Sequence, residues 1–416
     1  MRKNRFISLL ILSFLLLVFT TPVVAQSGCT DIQATNYDPT AVVNDGSCLY
    51  PVTTLSTTFI APLQTPLLDE NSGLFRCGDN YWTHVDDTYE ELHALDTNTG
   101  NISRTVTLSG ASNIDWEEAQ ADSHYVYVGD IGNNSGTRTD LVIYRYPISV
   151  LDSGAVAVLP DTIRFSYSDQ TDFTASLNNT RFDCEAFVVL NDTLHLFSKD
   201  WVLKNTRHYT LPAIPGNHVA QLQDSLSANG LITGASISST GVLVLLGYDN
   251  QIPAPCFMWM FYDYRSGDFF SGNKRRFSLG TALTLGQTEA IAFRYGNQGY
   301  ISNERFQQSI FNVAPQLRSF SLDSYITPPV SRQEELVNSI DYLIYPQPAT
   351  TGFYVKSTLV GKTEYRLLDS QGRTIQVEEG QGGLYYFELR NVASGCYTLA
   401  IRTNNGVRSF RQVFFQ

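Results

Sequence analysis

The chain has 416 residues, 43 % hydrophobic, 12 % aromatic and only 16 % charged, with a formal net charge of −12 at pH 7. That much apolar material excludes intrinsic disorder as the main state, and 29 Gly with 16 Pro exclude a long coiled coil. The acidic balance excludes nucleic acid as a partner, because phosphates demand a basic face.

Residues 1–25 read as a secretory signal peptide. Arg2, Lys3 and Arg5 precede an apolar stretch of about 14 residues from Phe6 to Phe19, and small residues lead up to Gln26. A membrane-spanning helix needs about 20 apolar residues, so this run is short for one. Cleavage near Gln26 removes three cations and takes the charge from −12 to −15.

Residues 26–51 form a Cys-bounded module. Cys29 and Cys48 close a short loop and are expected to pair in an oxidising compartment. Cys77, Cys184, Cys256 and Cys396 sit in strand-like surroundings and read as buried small apolar residues. The run Gly28-Cys29-Thr30-Asp31, then Asn36-Tyr37-Asp38-Pro39, then Asp45-Gly46-Ser47-Cys48 resembles a short module of exported Bacteroidetes proteins. Asp31, Asn36, Asp38 and Asp45 offer oxygen ligands for a hard cation such as Ca²⁺. The alternative is that they serve tight turns, which favour Asp, Asn and Gly.

Between residues 55 and 325 one pattern returns five times. Its landmarks are Glu70, Glu118, Glu185, Gly234 and Glu289, at intervals of 48, 67, 49 and 55 residues. Each begins an apolar strand, followed by a second strand with a polar tip such as Tyr125-Val126-Tyr127-Val128-Gly129-Asp130, and then two more. Four short strands every 50 or so residues predict β-propeller blades. We expect five to six blades: the 67-residue interval has room for a sixth, and residues 55–62 supply the closing strand.

In up-and-down strands, the start of strand one and the end of strand two lie at the same end. Glu118, Glu185 and Glu289 should therefore gather at one channel face with Asp130, Lys199, Asp200, Asp249, Asn303 and Glu304. Converging carboxylates raise one another's pKa, and a cation or a polyhydroxylated ligand relieves that cost. Alternatively, each glutamate caps backbone N–H groups of a neighbouring blade.

The segment Asp115-Trp116-Glu117-Glu118, Val128-Gly129-Asp130-Ile131-Gly132-Asn133-Asn134 and Arg138 resembles secreted six-bladed propellers of the TolB-like and lactonase-like kind. That resemblance favours six blades and implies one Ca²⁺ on the channel axis, with Glu118, Asp130 and Asn133 as counterparts of the family's ligands. No histidine matches a lactonase base; His93 and His195 read as packed strand residues. The chain has no G-x-S-x-G elbow, P-loop, H-E-x-x-H or dinucleotide fingerprint, so no nucleotide or organic cofactor is expected.

Residues 326–340 read as a polar linker, and residues 341–416 as a compact strand-rich unit. Tyr345-Pro346-Gln347-Pro348 with Gly352, Asp369-Ser370-Gln371-Gly372-Arg373 and Gly395-Cys396-Tyr397-Thr398-Leu399 resemble the type A C-terminal sorting domain of type IX secretion cargo. The resemblance implies a small β-sandwich, the type IX machinery as a partner, and secretion or outer-surface display by way of Sec export and the periplasm. The whole reads as an all-β, monomeric protein binding a glycan, peptide or surface partner on an acidic face. The alternative is a calcium-dependent lactonase- or esterase-like hydrolase using the same face.

Overall fold

The computed structural model describes residues 26–326 and 343–415, apart from 87, 153–157, 266, 347, 358–360, 370–372, 391 and 404–407. The expected signal peptide and all but Ile326 of the expected linker lie outside them. The chain forms two compact units, divided after residue 327.

The first unit opens with the module, where β1 (Ser27–Gly28) pairs with β2 (Val43–Asn44) and Cys29 is disulfide-bonded to Cys48. Two strands follow, β3 (Thr53–Thr54) and β4 (Thr58–Pro62). Blade 1 is β5 (Asn71–Cys77), β6 (Asn80–Val85), β7 (Glu91–Leu95) and β8 (Ile102–Thr107). Blade 2 is β9 (Trp116–Ala121), β10 (Tyr125–Asp130), β11 (Val142–Pro147) and β12 (Asp161–Tyr167). Blade 3 is β13 (Asp183–Leu190), β14 (Thr193–Lys199), β15 (Thr206–Pro212) and β16 (Gly216–Leu226). Blade 4 is β17 (Leu231–Ile237), β18 (Leu243–Tyr248), β19 (Pro255–Tyr262) and β20 (Asn273–Thr281), followed by a one-turn helix α1 (Ala282–Leu285). Blade 5 is β21 (Gln287–Phe293), β22 (Gln298–Glu304) and β25 (Gln316–Ser321), with the hairpin β23 (Phe306–Gln308) and β24 (Phe311–Val313) inserted before the last.

The fourth strand of blade 5 is β4, paired antiparallel with β25 through Leu317 and Ala61. The chain start thus closes the ring, as expected of residues 55–62. Among the described residues there are five blades, not six. The 67-residue interval holds only the long connections around β12, whose edge pairs parallel with β16 and joins blades 2 and 3 into one sheet.

Five apolar cores explain why the ring closes at five. Side chains alternate faces along a strand, so each blade feeds both neighbours. In β18, Leu243 and Leu245 pack toward blade 3 with Val188 and Phe197, whereas Val244 and Leu246 pack toward blade 5 with Ile291 and Ile301. Phe75 and Trp82 meet Trp116 and Val128 between blades 1 and 2, and Ile143 meets Phe187 between blades 2 and 3. Ala290 and Leu317 meet Leu74 and Tyr81 between blades 5 and 1.

The module is docked on blade 4. Asp31 accepts hydrogen bonds from Tyr50 and Tyr262, Gln33 accepts one from Arg275, and Asn44 donates to Asp263. Cys184 and Cys256 are buried as expected; Cys77 is half-buried. Cys396 is exposed, a correction: it lies at the start of β31, before that strand's pairing with β28 begins at Thr398.

That second unit has two facing sheets. One is β26 (Leu343–Tyr345), β27 (Gly352–Lys356) and β30 (Leu384–Glu388). The other is β28 (Lys362–Leu368), β29 (Thr374–Gln381), β31 (Gly395–Thr403) and β32 (Arg408–Phe415). Phe353, Val355, Tyr365, Leu367, Phe387, Leu399 and Ile401 fill the space between them.

Candidate functional site

Every inner strand of the propeller carries a β-bulge near its start. The unpaired residues are Gly73 in β5, Glu117 in β9, Glu185 in β13, Thr233 in β17 and Glu289 in β21. A bulge leaves one residue outside the ladder and re-aims its side chain. At equivalent positions round the channel the bulges place three glutamates, a threonine and a glycine. Gly73 has φ +54°, and a Cβ there would lie 2.2 Å from the His84 ring.

One cation sits among these acids. Lys199, at the end of β14, is buried, with Nζ 2.8 Å from Glu185 Oε1 and 4.9 Å from the centre of the Trp201 ring. Burial opposes its charge, but Glu185, Tyr248, Glu289 and Asp183 together hold its pKa well above the usual lysine value. Gln287 Nε2 donates to Glu289 Oε1 at 2.6 Å and to Glu304 Oε2 at 2.8 Å, tying two carboxyl groups together. Glu117 is hydrogen-bonded through its side chain to both Asp115 and Glu185. Gly132 makes room for this contact: a Cβ there would lie 2.2 Å from Asp115 Oδ2 and 2.5 Å from Glu117 Oε1.

Burial is the main force on these acids. It pushes Asp115 up to about 6, with Asp183 adding to the effect, and Glu289 up to about 7 despite Lys199. Glu117, Glu185 and Glu304 are raised further, first by burial and then by one another's charges and those of nearby acids. Toward solvent, carboxyl oxygens of Glu70, Asp86 and Glu304 lie within 4.8 Å of one another. The result is an acidic mouth, with buried, hydrogen-bonded carboxyl groups inside and the carboxyl trio of Glu70, Asp86 and Glu304 at the rim. Such a surface can bind cations, donate protons, or hydrogen-bond hydroxyl-rich ligands.

Of the residues expected at this face, Glu185, Glu289, Glu304 and Lys199 come together. Glu118 does not join them: its two oxygens accept the backbone N–H groups of Ala119 and Ala235, each at 3.0 Å. Asp130 is held by Arg138 at 2.8 Å and by the Asp115 amide. Asn133 bridges Phe182, Asp183 and Arg138, and Asn303 braces Glu304, Ala314 and Gln316 through the backbone. Asp200 caps the amides of Val202 and Leu203, and Asp249 that of Gln251. Glu118, Asp130 and Asn133 are thus each committed to structural partners, and Asp130 and Asn133 share Arg138.

In the module, Asp31 and Asp45 accept backbone N–H groups two residues on, and Asp38 accepts both the amide and hydroxyl of Thr40. Asn36 bridges Ser47 and Leu49. These are turn-closing roles. Among the described residues, Asp31, Asp38 and Asp45 form no three-carboxylate cluster.

Sequence reasoning missed Glu117, Asp115, Asp183, Asp86 and Gln287 as members of the mouth, and treated Glu70 only as a repeat landmark. The off-by-one at Glu117 has a clear origin. Aligning the dipeptide Glu-Ala of Glu185-Ala186 and Glu289-Ala290 selects Glu118-Ala119, but the bulge sits one residue earlier.

Residues 343–414 match the family described as the secretion system C-terminal sorting domain. The second unit is a sorting domain. Its presence marks the protein for the type IX secretion machinery and for release or display at the outer cell surface. Within the sorting domain, Asp369 closes the β28–β29 turn by accepting the Arg373 amide at 2.9 Å and its Nε at 2.7 Å, which accounts for that acid–base pair in the motif. Comparison with curated proteins finds no match. Among solved structures, the chain is similar to the PQQ-bound aldose sugar dehydrogenase of Streptomyces coelicolor (10 % identity, 65 % of this chain and 99 % of that one, TM-score 0.37). It is also similar to Myxococcus xanthus glutaminyl cyclase (11 %, 64 % and 99 %, TM-score 0.37). A third is a Phanerochaete chrysosporium exo-β-1,3-galactanase variant with β-1,3-galactotriose (10 %, 80 % and 93 %, TM-score 0.41).

Proposed function

We propose that the propeller is the delivered cargo and that its acidic channel mouth binds a glycan, peptide or surface partner presenting cationic or hydroxyl groups. The signal peptide of residues 1–25 starts the route through Sec and the periplasm, and the sorting domain completes it. One observation carries the binding reading. The buried ammonium of Lys199 is surrounded by Glu117, Glu185, Glu289, Asp183 and Glu304, whose carboxyls are raised or crowded enough to favour an added donor or cation. Ca²⁺ is proposed as an organiser at the rim trio of Glu70, Asp86 and Glu304, where hard oxygen ligands suit it.

A second reading is a hydrolase of lactonase or esterase type. It is favoured by the hydrogen-bonded run Asp115, Glu117 and Glu185, since Asp115, pushed up to about 6, supplies a base and its neighbour Glu117, raised well above the ordinary carboxyl value by burial, an acid. The test is calorimetric titration of the mature chain, residues 26–416, with Ca²⁺, alongside glycan and peptide arrays and a lactone panel. Binding lost in Glu304→Gln and Glu289→Gln supports the proposal. Wild-type protein without Ca²⁺ or array binding overturns it, and turnover abolished by Glu117→Gln moves the assignment to the hydrolase.

A further inference from the structure

The end of the propeller opposite the acidic mouth carries a different polar surface, on blade 5. Register builds it. Tyr300 in β22 lies opposite Ser319 in β25, and Ser319 lies opposite Thr58 in β4; one step nearer the strand end, Gln298 lies opposite Ser321. Residues opposite one another share a sheet face, as do residues two apart along a strand. Arg294 continues that face past the end of β21, two residues beyond Ala292, which lies opposite Tyr300. Its amide donates to the Gln298 carbonyl at 2.6 Å, and its carbonyl accepts Arg76 Nη1 at 2.6 Å, so the turn is held from both sides. The result is a polar row running from Arg294 to Thr58.

The two arginines differ in their partners. Both guanidinium groups lie over the Tyr295 ring, Arg76 at 4.4 Å and Arg294 at 5.5 Å from its centre. Arg76 also has a carboxylate, Asp79, at 3.4 Å. Arg294 is exposed, and among the described residues its guanidinium joins no ion pair and donates no hydrogen bond. It stands at a cavity of about 420 Å³ lined by the crossover where the chain passes from β3, beside blade 4, to β4 in blade 5. Ser56, Thr58 and Ser319 line this cavity, and among the described residues their hydroxyls make no hydrogen bond. Gln298 and Ser321 line it too, held by Asp323 Oδ2 at 2.8 and 3.0 Å, while Phe320 and Tyr325 supply its apolar wall.

We infer that this cavity binds a saccharide carrying a carboxylate, with Arg294 pairing the acid group and Ser56, Thr58 and Ser319 meeting the sugar hydroxyls. A planar guanidinium matches a carboxylate through two parallel hydrogen bonds. Hydroxyl side chains both donate and accept, as sugar hydroxyls do. The volume is that of a small-molecule site, and the aromatic wall faces the apolar side of a sugar ring. A compact multiply charged anion is disfavoured, because the Asp323 carboxylate stands behind Gln298 and Ser321 and repels it. The site lies at the other end of the blades from the acidic mouth and is independent of the function proposed there.

The probe is digalacturonic acid, titrated calorimetrically into the mature chain, residues 26–416, beside neutral galactobiose and sodium sulfate. The acidic sugar should bind about tenfold more tightly than the neutral one, the worth of one charge-assisted pair. Arg294→Gln, at an exposed position, should keep the fold and abolish that preference while leaving galactobiose binding unchanged. Ser319→Val should weaken both sugars. Absence of digalacturonic acid binding overturns the site, as does equal affinity for the two sugars or an affinity for the acidic one unchanged in Arg294→Gln. Sulfate binding as tight as the acidic sugar also overturns it, in favour of a bare anion. If Arg294→Gln fails to fold, an affinity unchanged in Ser319→Val is the overturning result.

Discussion

Glu118 of blade 2 reaches across the channel to Ala235 of blade 4, two positions round the ring, and its Oε2 accepts the Ala235 amide at 3.0 Å. Gln120, on the same strand, donates to the Ala235 carbonyl at 2.9 Å. Both backbone polar groups of buried Ala235 are thus satisfied by side chains from blade 2. The cost of burying Glu118, whose carboxyl is pushed well up, is offset by its two amide donors.

Glu118→Ala should therefore act on stability and leave ligand binding at the mouth intact. Losing the acceptor orphans buried amides, a cost of about 1–3 kcal/mol. Urea unfolding measures it, and an unchanged midpoint would contradict the clamp.

Lys199→Met removes the cation from the inner acids. Uncompensated buried charge costs about 3–5 kcal/mol, so the thermal midpoint at pH 8 should fall sharply. Lowering the pH to 6 should recover part of the loss, because protonated Glu185 and Glu289 no longer need the ammonium. Equal destabilisation at both pH values would argue for a packing role instead.

The wild-type protein should itself lose stability as pH rises toward 8. Folded Glu289 keeps its proton up to about 7 against 4.5 for the ordinary carboxyl, and Asp115 up to about 6 against 3.8. Folding takes up protons in those windows, so this stability is present at the acid end and is lost as pH rises through the folded values. His84 and His195, each lowered to about 4 chiefly by burial, have the opposite sign. They cost stability as pH falls from 6.5 toward 4. The two sets oppose one another between about pH 4 and 6.5, and above that range only the acids act, so the melting midpoint should fall as pH rises beyond 6.5.

Replacing Cys29 and Cys48 by serine opens a loop with a sequence separation of 19, worth about 3 kcal/mol of chain entropy. The propeller closes through β4 and not through the module. Limited proteolysis should therefore cut within residues 26–52 and spare the blades. Loss of the whole propeller would show that the Asp31–Tyr262 contact matters more than proposed.

Deleting residues 341–416 should leave the protein in the periplasm, as judged by cell fractionation. Normal surface appearance would remove the sorting domain from the export route.

Much of the fold was legible because a blade is a local unit. Four strands joined by short turns leave a cadence, and the spacing from Glu70 to Glu289 counted five of them. The sixth blade, taken from resemblance, failed at the interval before Glu185, where long connections and the β12–β16 pairing occupy the chain. The rule that strand starts and strand ends share one face named Glu185, Glu289, Glu304 and Lys199, four residues that lie near one another in the fold. Asp130, Asn133 and Asn303 brace neighbouring segments, a role to which a polar residue at a strand tip is equally suited.

By itself, the sequence determined an acidic all-β body, its disulfide-pinned leading module and its sorting domain, since each is written in local spacing. Which glutamate of the pair Glu117-Glu118 faces the mouth was decided only by tertiary structure. Blade strands are buried on both faces, so hydrophobicity does not mark the inward side, and one bulged residue reverses the assignment. The cross-channel clamp of Glu118 and the polar row from Arg294 to Thr58 likewise exist only once distant strands are laid side by side.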